Sequence, residues 1–167
     1  HVVLTDINTH RLHLAGQVAP NIRTVDVSKE DLGDVMHELK MTEGFDVGLE
    51  MSGAPQAFDT MLDKMIMGGK IAMLGLPSKP IPVDFGKLVL KAIRLEGIYG
   101  REMFETWYKA TALLAAGLDV SPVISHVLPL GRFEEAFDLL RTGRASKVLL
   151  DMEAEGDTAS DTAAGEP

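Results

Sequence analysis

The chain has no cysteine among its 167 residues. That excludes a disulfide framework, and with it any thiolate metal site within this stretch. Long apolar runs are also missing. None approaches the roughly 20 residues that a membrane-spanning helix needs, and no signal peptide is evident, so a cytoplasmic protein with no membrane partner is expected. Positive charge is scarce: 16 Lys and Arg stand against 25 Asp and Glu, a formal net charge of −9. Binding a phosphate backbone needs a basic surface, so no nucleic-acid partner is expected. From Asp151 onward there are six acids and no Lys or Arg, so residues 153–167 read as a disordered acidic tail on a more evenly charged body. Common catalytic frames are absent as well. There is no GxSxG elbow and no HExxH helix, and no glycine-rich phosphate loop precedes the first strand-like run. The chain opens on His1 and reads as the downstream part of a longer enzyme.

What is present is a core and a rhythm. At 46% hydrophobic, the chain holds the material of one ordinary domain. The apolar run Val2 to Asp6 reads as a strand. A helix with Asn8 as N-cap follows, carrying Leu12, Leu14, Ala15 and Val18, until Pro20 and Asn21 break it. Thr24 to Val27 reads as the next strand. Ser28 with Asp31 suggests a capping box for a helix over Leu32, Val35, Met36 and Leu39, ending at Gly44. Phe45 to Met51 reads as a buried strand, with Gly48 at a close backbone approach. Residues 54–67 read as a helix capped by Gly68-Gly69, and Lys70 to Gly75 as a strand. Phe85 to Lys91 reads as a short helix and Arg94 to Gly100 as a further strand. Strands and helices alternating at this spacing predict an α/β fold, a doubly wound parallel sheet of Rossmann type. Beyond it, residues 103–118 read as a helix, Val123 to Leu130 as a strand, Phe133 to Leu140 as a helix and Ser146 to Met152 as a last strand. The expected organisation is a partial dinucleotide-binding domain over residues 1–118, a C-terminal segment of a second domain over 119–152, and the tail.

In sheets of this type, ligands bind at the carboxyl ends of the strands. Asp6 ends the first strand, where a carboxylate hydrogen-bonds the adenosine ribose of a dinucleotide and repels the added phosphate of NADP; a plain helix-start acid is the alternative. Arg11, five residues on, either lies along the adenine or is a surface arginine. The other strand ends are Val27, Met51-Ser52-Gly53, Leu74-Gly75-Leu76 and Ile98-Tyr99-Gly100. The glycines among them let a flat ring approach the backbone, or simply make turns. His10 and His13 share a helix face with no carboxylate to complete a metal set, and His37 and His126 have no evident partner. Met61, Met65, Met67 and Met73 read as core filling. These residues describe a nucleotide-binding half with no catalytic residue and no metal ligand of its own.

The segments VVLTDINTHRLHLA, LGDVMHELKMTEGFDVGLEMSGAPQAF, GGKIAMLGLP and GIYGREMFETWYKA resemble the threonine-oxidising branch of the zinc-dependent medium-chain dehydrogenase/reductase family. The resemblance runs from Val2 to about Met152. It implies oxidation of the L-threonine β-hydroxyl to a ketone, with hydride passed to NAD and 2-amino-3-oxobutanoate as product. By the same resemblance Asp6 and Arg11 match the NAD-binding acid and arginine, and Leu74, Gly75 and Leu76 match the segment lining the nicotinamide side. Ile98 and Tyr99 match a second segment bordering the cofactor. Glu102, Trp107 and Tyr108 belong to the shared motif without an assigned role. The family's zinc ligands, proton relay and glycine-rich loop lie upstream of this segment, so zinc is implied for the full-length enzyme with no ligand here, and a homotetramer is implied when it is complete. A related polyol or secondary-alcohol dehydrogenase, a non-catalytic nucleotide-binding module and a methyltransferase are the other readings.

The resemblance also implies the strand order 3-2-1-4-5-6, with the first βα unit missing from this chain. That strand would lie between Val2–Asp6 and Phe45–Glu50. The isolated chain is therefore expected to be unstable, to pair non-natively, or to self-associate.

Overall fold

The computed structural model describes residues 1–154; most of the segment expected as a disordered tail lies outside the described residues. Two compact units divide the described residues, one formed by His1–Lys29 together with residues 113–154, the other by Glu30–Ala112.

In the first unit, β1 (Val3–Asp6) and β2 (Arg23–Asp26) pair in parallel, with Asp6 opposite Asp26. The connecting helix α1 (Thr9–Val18) starts where Asn8 accepts hydrogen bonds from the backbone N–H of His10 and Arg11 at 2.9 and 3.3 Å. Leu12 turns inward from it, and Val25 is fully buried on β2. The strand ends one residue before the expected Val27. At Asp26 the carboxylate closes the turn and leaves Val27 exposed. Further along the chain, β6 (Ile124–Pro129) and β7 (Lys147–Asp151) form a second parallel pair, crossed over by α6 (Phe133–Arg141). Leu128, Ala136 and Ala145 are its buried apolar residues. The Asn8 amide donates to the carbonyl of Gly143 at 3.2 Å, tying the start of α1 to the turn after α6.

In the second unit, β3 (Phe45–Glu50), β4 (Met65–Met73) and β5 (Arg94–Gly97) form a parallel sheet in that order. The helices α3 (Pro55–Lys64) and α4 (Phe85–Leu90) supply Phe58, Leu62 and Leu88 to a core completed by Met65 and Ile71 of β4. Gly48 sits under Met61 and Met65, the close approach its sequence position suggests: a Cβ there would run into both sulfur atoms. The other face of β3 is exposed at Val47 and Leu49, so this strand is half-buried rather than buried.

Helix boundaries differ from the sequence expectation in several places. Helix α2 (Leu32–Glu38) is capped by Asp31, whose carboxylate accepts from Gly33 and Asp34, while the Ser28 hydroxyl is taken by Asp26. The same helix ends at Glu38, six residues before Gly44, through Lys40 in a left-handed conformation. Helix α3 stops at Lys64, because Met65 already pairs with Phe45; Gly68 and Gly69 lie inside β4, where they form a bulge between the Phe45–Met65 and Val47–Lys70 pairs. The last helix of the βα series, α5 (Glu105–Ala115), is two residues shorter at its start than expected and buries none of its side chains.

Among the described residues the strand neighbours are β2-β1, β3-β4-β5 and β6-β7, in three separate sheets. The first two groups are the neighbours expected of a 3-2-1-4-5-6 sheet whose first strand is absent.

Candidate functional site

The carboxyl ends of the strands carry the polar groups. At the end of β1, Asp6 Oδ1 accepts from the backbone N–H of Ile7 at 2.7 Å and of Asn8 at 2.9 Å. Its other oxygen, Oδ2, faces the guanidinium of Arg11 at 3.8 Å. One oxygen is therefore committed to the turn, while the second keeps acceptor capacity on a partly exposed surface. Asp6 and Arg11, both singled out in the sequence, are brought together here. On the neighbouring strand end, Asp26 accepts from Ser28 N, Ser28 Oγ and Lys29 Nζ at 3.1, 2.5 and 2.6 Å. The Lys29 ammonium and the Ser28 hydroxyl hold its carboxyl down at about 2.

In the second unit, the remaining candidates lie past the ends of β4 and β5. Leu74 N and Gly75 N both donate to the carbonyl of Glu50, each at 2.9 Å, so this segment is joined to the end of β3. Leu76 is exposed beyond it. Ile98 N donates to Met73 O at 2.8 Å, which extends the pairing of β5 by one bond, and Tyr99 follows fully exposed. The glycines here have internal reasons. Gly53 has φ +69°, and a Cβ on it would meet Leu76 O at 2.6 Å; a Cβ on Gly75 would meet Gly53 N and the Glu50 carboxylate. Gly100 has φ +59° and open space around it. The first two are needed for two strand ends to pack together, the third for its backbone conformation.

Sequence reading passes over two acids, Asp26 and Glu50. Their signal is a repeated pattern, an acid at the last position of a strand with a polar residue two places on: Asp6 and Asn8, Asp26 and Ser28, Glu50 and Ser52. Among the described residues no group of three or more His, Cys, Asp or Glu side chains could hold a metal ion.

Parallel strands joined by helical crossovers, with polar groups and glycines gathered at the carboxyl ends, define a Rossmann-type α/β fold. The family profile described as zinc-binding dehydrogenase matches residues 1–116, and the chain belongs to that family. It is 56% identical over 153 residues to the L-threonine 3-dehydrogenase of Proteus mirabilis strain HI4320, an overlap that covers 92% of this chain and 45% of that relative. The chain thus spans less than half the length of the relative it matches. Among solved structures, an alcohol dehydrogenase from Thermotoga maritima superposes with a TM-score of 0.79 at 23% identity, covering 90% of this chain and 42% of that one. A short chain alcohol dehydrogenase from E. coli CFT073, complexed with cofactor NADH, gives a TM-score of 0.77 at 18% identity, covering 90% and 44%. At these identities the two structures share the fold.

Proposed function

We propose that this chain is the NAD-binding portion of a zinc-dependent L-threonine 3-dehydrogenase, inactive by itself. The complete enzyme oxidises the β-hydroxyl of L-threonine to a ketone, passes a hydride to NAD and yields 2-amino-3-oxobutanoate. The observation that carries this reading is the identity to a threonine dehydrogenase along nearly the whole chain, far above the level at which only the fold is shared. NAD, when bound, supplies the hydride acceptor. The residues described above fit its adenosine end: Asp6 Oδ2 is available to accept from a ribose hydroxyl, and its charge disfavours an added phosphate there. Arg11 lies beside it to flank the adenine. Leu74, Gly75 and Leu76, with Ile98 and Tyr99, border the nicotinamide end. Zinc and the groups that move the proton belong to the remainder of the enzyme. We place the enzyme in the cytoplasm, as a homotetramer acting on a small molecule, with no nucleic-acid or membrane partner.

The native gene product tests the reading directly. It is expected to form NADH when given L-threonine and NAD, and not when given sorbitol or butanediol. Preference for either of those alcohols would move the assignment to a polyol or secondary-alcohol dehydrogenase. Binding of NADH without turnover of any alcohol would leave a nucleotide-binding module. In the same protein, Asp6→Asn is expected to weaken NADH binding roughly tenfold, the scale of one charge-assisted hydrogen bond, and to narrow the preference for NAD over NADP.

A further inference from the structure

The three acids that end β1, β2 and β3 all close the turn that follows: each carboxylate accepts the N–H two residues on, at 2.9 Å for Asn8, 3.1 Å for Ser28 and 3.0 Å for Ser52. Turn closure of this kind needs only a short side chain at the surface. Asp6 meets that description with Arg11 near it. Asp26 is buried, at 8% exposure, and is paired with the Lys29 ammonium. Glu50 is buried more deeply, at 2% exposure, and has no cation partner among the described residues. Burying a carboxylate costs free energy unless donors replace its water, and here donors do. Glu50 Oε1 accepts from Ser52 N, from Ser52 Oγ and from Gly53 N at 3.1 Å, and Oε2 accepts from Gly53 N at 3.0 Å.

The same residue holds the neighbouring strand end through its backbone, since its carbonyl accepts from both Leu74 N and Gly75 N. Between these two sets of bonds the packing leaves no spare room. A Cβ at Gly75 would strike Gly53 N and the Glu50 carboxylate, and one at Gly53 would meet the Leu76 carbonyl. Asp26 closes its turn with a cation beside it; Glu50 closes its turn with backbone and hydroxyl donors alone. The arrangement fixes the position of Ser52-Gly53 relative to Leu74-Gly75-Leu76.

The geometry points to Glu50 as a positioning residue for the nicotinamide end of the cofactor, a buried strut that ties the Ser52-Gly53 turn to Leu74-Gly75-Leu76, the segment bordering that end. This rests on the NAD reading given above. In Glu50→Gln one of the two oxygens that accept from Gly53 N becomes an NH₂ donor and the charge is lost, so the bonds that hold Gly53 against Leu76 are weakened. Asp6 and Arg11, proposed above for the adenosine end, make no bond to Glu50 among the described residues.

The test compares two probes, NADH and AMP, on the native gene product and its Glu50→Gln and Ser52→Ala variants, below the melting transition of each. The expected result is that Glu50→Gln weakens NADH roughly tenfold, as for one charge-assisted hydrogen bond lost, and leaves AMP unchanged. Ser52→Ala, which removes the hydroxyl that donates to Glu50 and accepts from Ala54 N at 3.0 Å, leaves the Glu50 carboxylate in place and is the milder change should Glu50→Gln not fold; it is expected to weaken NADH by a smaller factor with AMP again unchanged. Equal weakening of NADH and AMP would show that Glu50 only supports the fold and would overturn the inference. Unchanged NADH affinity in both variants would overturn it too. If the parent protein binds neither probe, the NAD reading itself fails, and this inference with it.

Discussion

A strand-end carboxylate faces different company at each of its positions in this chain. Asp26 is the clearest case. Bonded to the Lys29 ammonium and the Ser28 hydroxyl, it titrates at about 2 against an ordinary value of 3.8. Because the folded value is the lower one, its contribution to stability is complete above the ordinary value and is lost as pH falls toward 2. The melting midpoint is therefore expected to drop between about pH 4 and about pH 2, and Asp26→Asn to remove part of that drop. If the parent and the variant lose stability in parallel over this range, the ion pair with Lys29 contributes nothing. Asp6 is legible in the sequence because a β-branched run ends on it and a helix begins two residues later. Asp26 is not, because the β-branched Val27 that follows suggests a strand one residue longer. Glu50 is hidden for a different reason: its partners are Ser52 and Gly53 beside it, but its burial depends on Leu74 and Gly75, which only the pairing of β3 with β4 brings near.

At the scale of elements, local pattern locates helices well and ends them poorly. Asn8 reads as an N-cap and is one, because capping is a contact within three residues. The end of α3 is decided elsewhere. Its apolar spacing continues through Met65, but Met65 pairs with Phe45, and the last carbonyls of the helix turn to a lysine 26 or more residues away. Lys91 Nζ accepts no bond; it donates three, to Leu62 O at 3.1 Å, Asp63 O at 2.6 Å and Met65 O at 3.1 Å. This is C-terminal capping by a side chain from another element, placed with the sign the helix dipole favours. Replacing it by Lys91→Met keeps the stem and removes the donors. A loss of about 1–3 kcal/mol in urea unfolding is expected, the range for charged hydrogen bonds to partly buried acceptors. Lys87→Met, which breaks the more exposed pairs with Asp59 and Asp63, is expected to cost less. Equal losses would mean that the carbonyl bonds of Lys91 add nothing beyond charge.

At the scale of the whole molecule, what the chain leaves unpaired matters more than what it pairs. Among the described residues β1 pairs only with β2, and β3 only with β4, so each presents one edge that no strand covers. The alternation of strands and helices makes the parallel pairing legible from the sequence, and the resemblance supplies the strand order. The exposure of a face has to be seen in the structure, since a strand buried on both sides and one buried on a single side have the same apolar content here. On β3, Val47, Leu49 and, just past the strand, Met51 are each more than half exposed, beside an open edge. An exposed, apolar strand edge is a template for another chain, and neither β1 nor β3 carries a proline or a lysine to blunt it. The 167-residue chain, prepared by itself, is accordingly expected to self-associate at micromolar concentration and to melt over a broad range. Sedimentation at several concentrations and a thermal scan check this. Val47→Lys, which puts a charge on the exposed face of β3 without touching the core formed by Phe58, Leu62 and Ile71, is expected to shift the equilibrium toward monomer. A concentration-independent monomer with one sharp transition would mean that these edges are satisfied within a single chain.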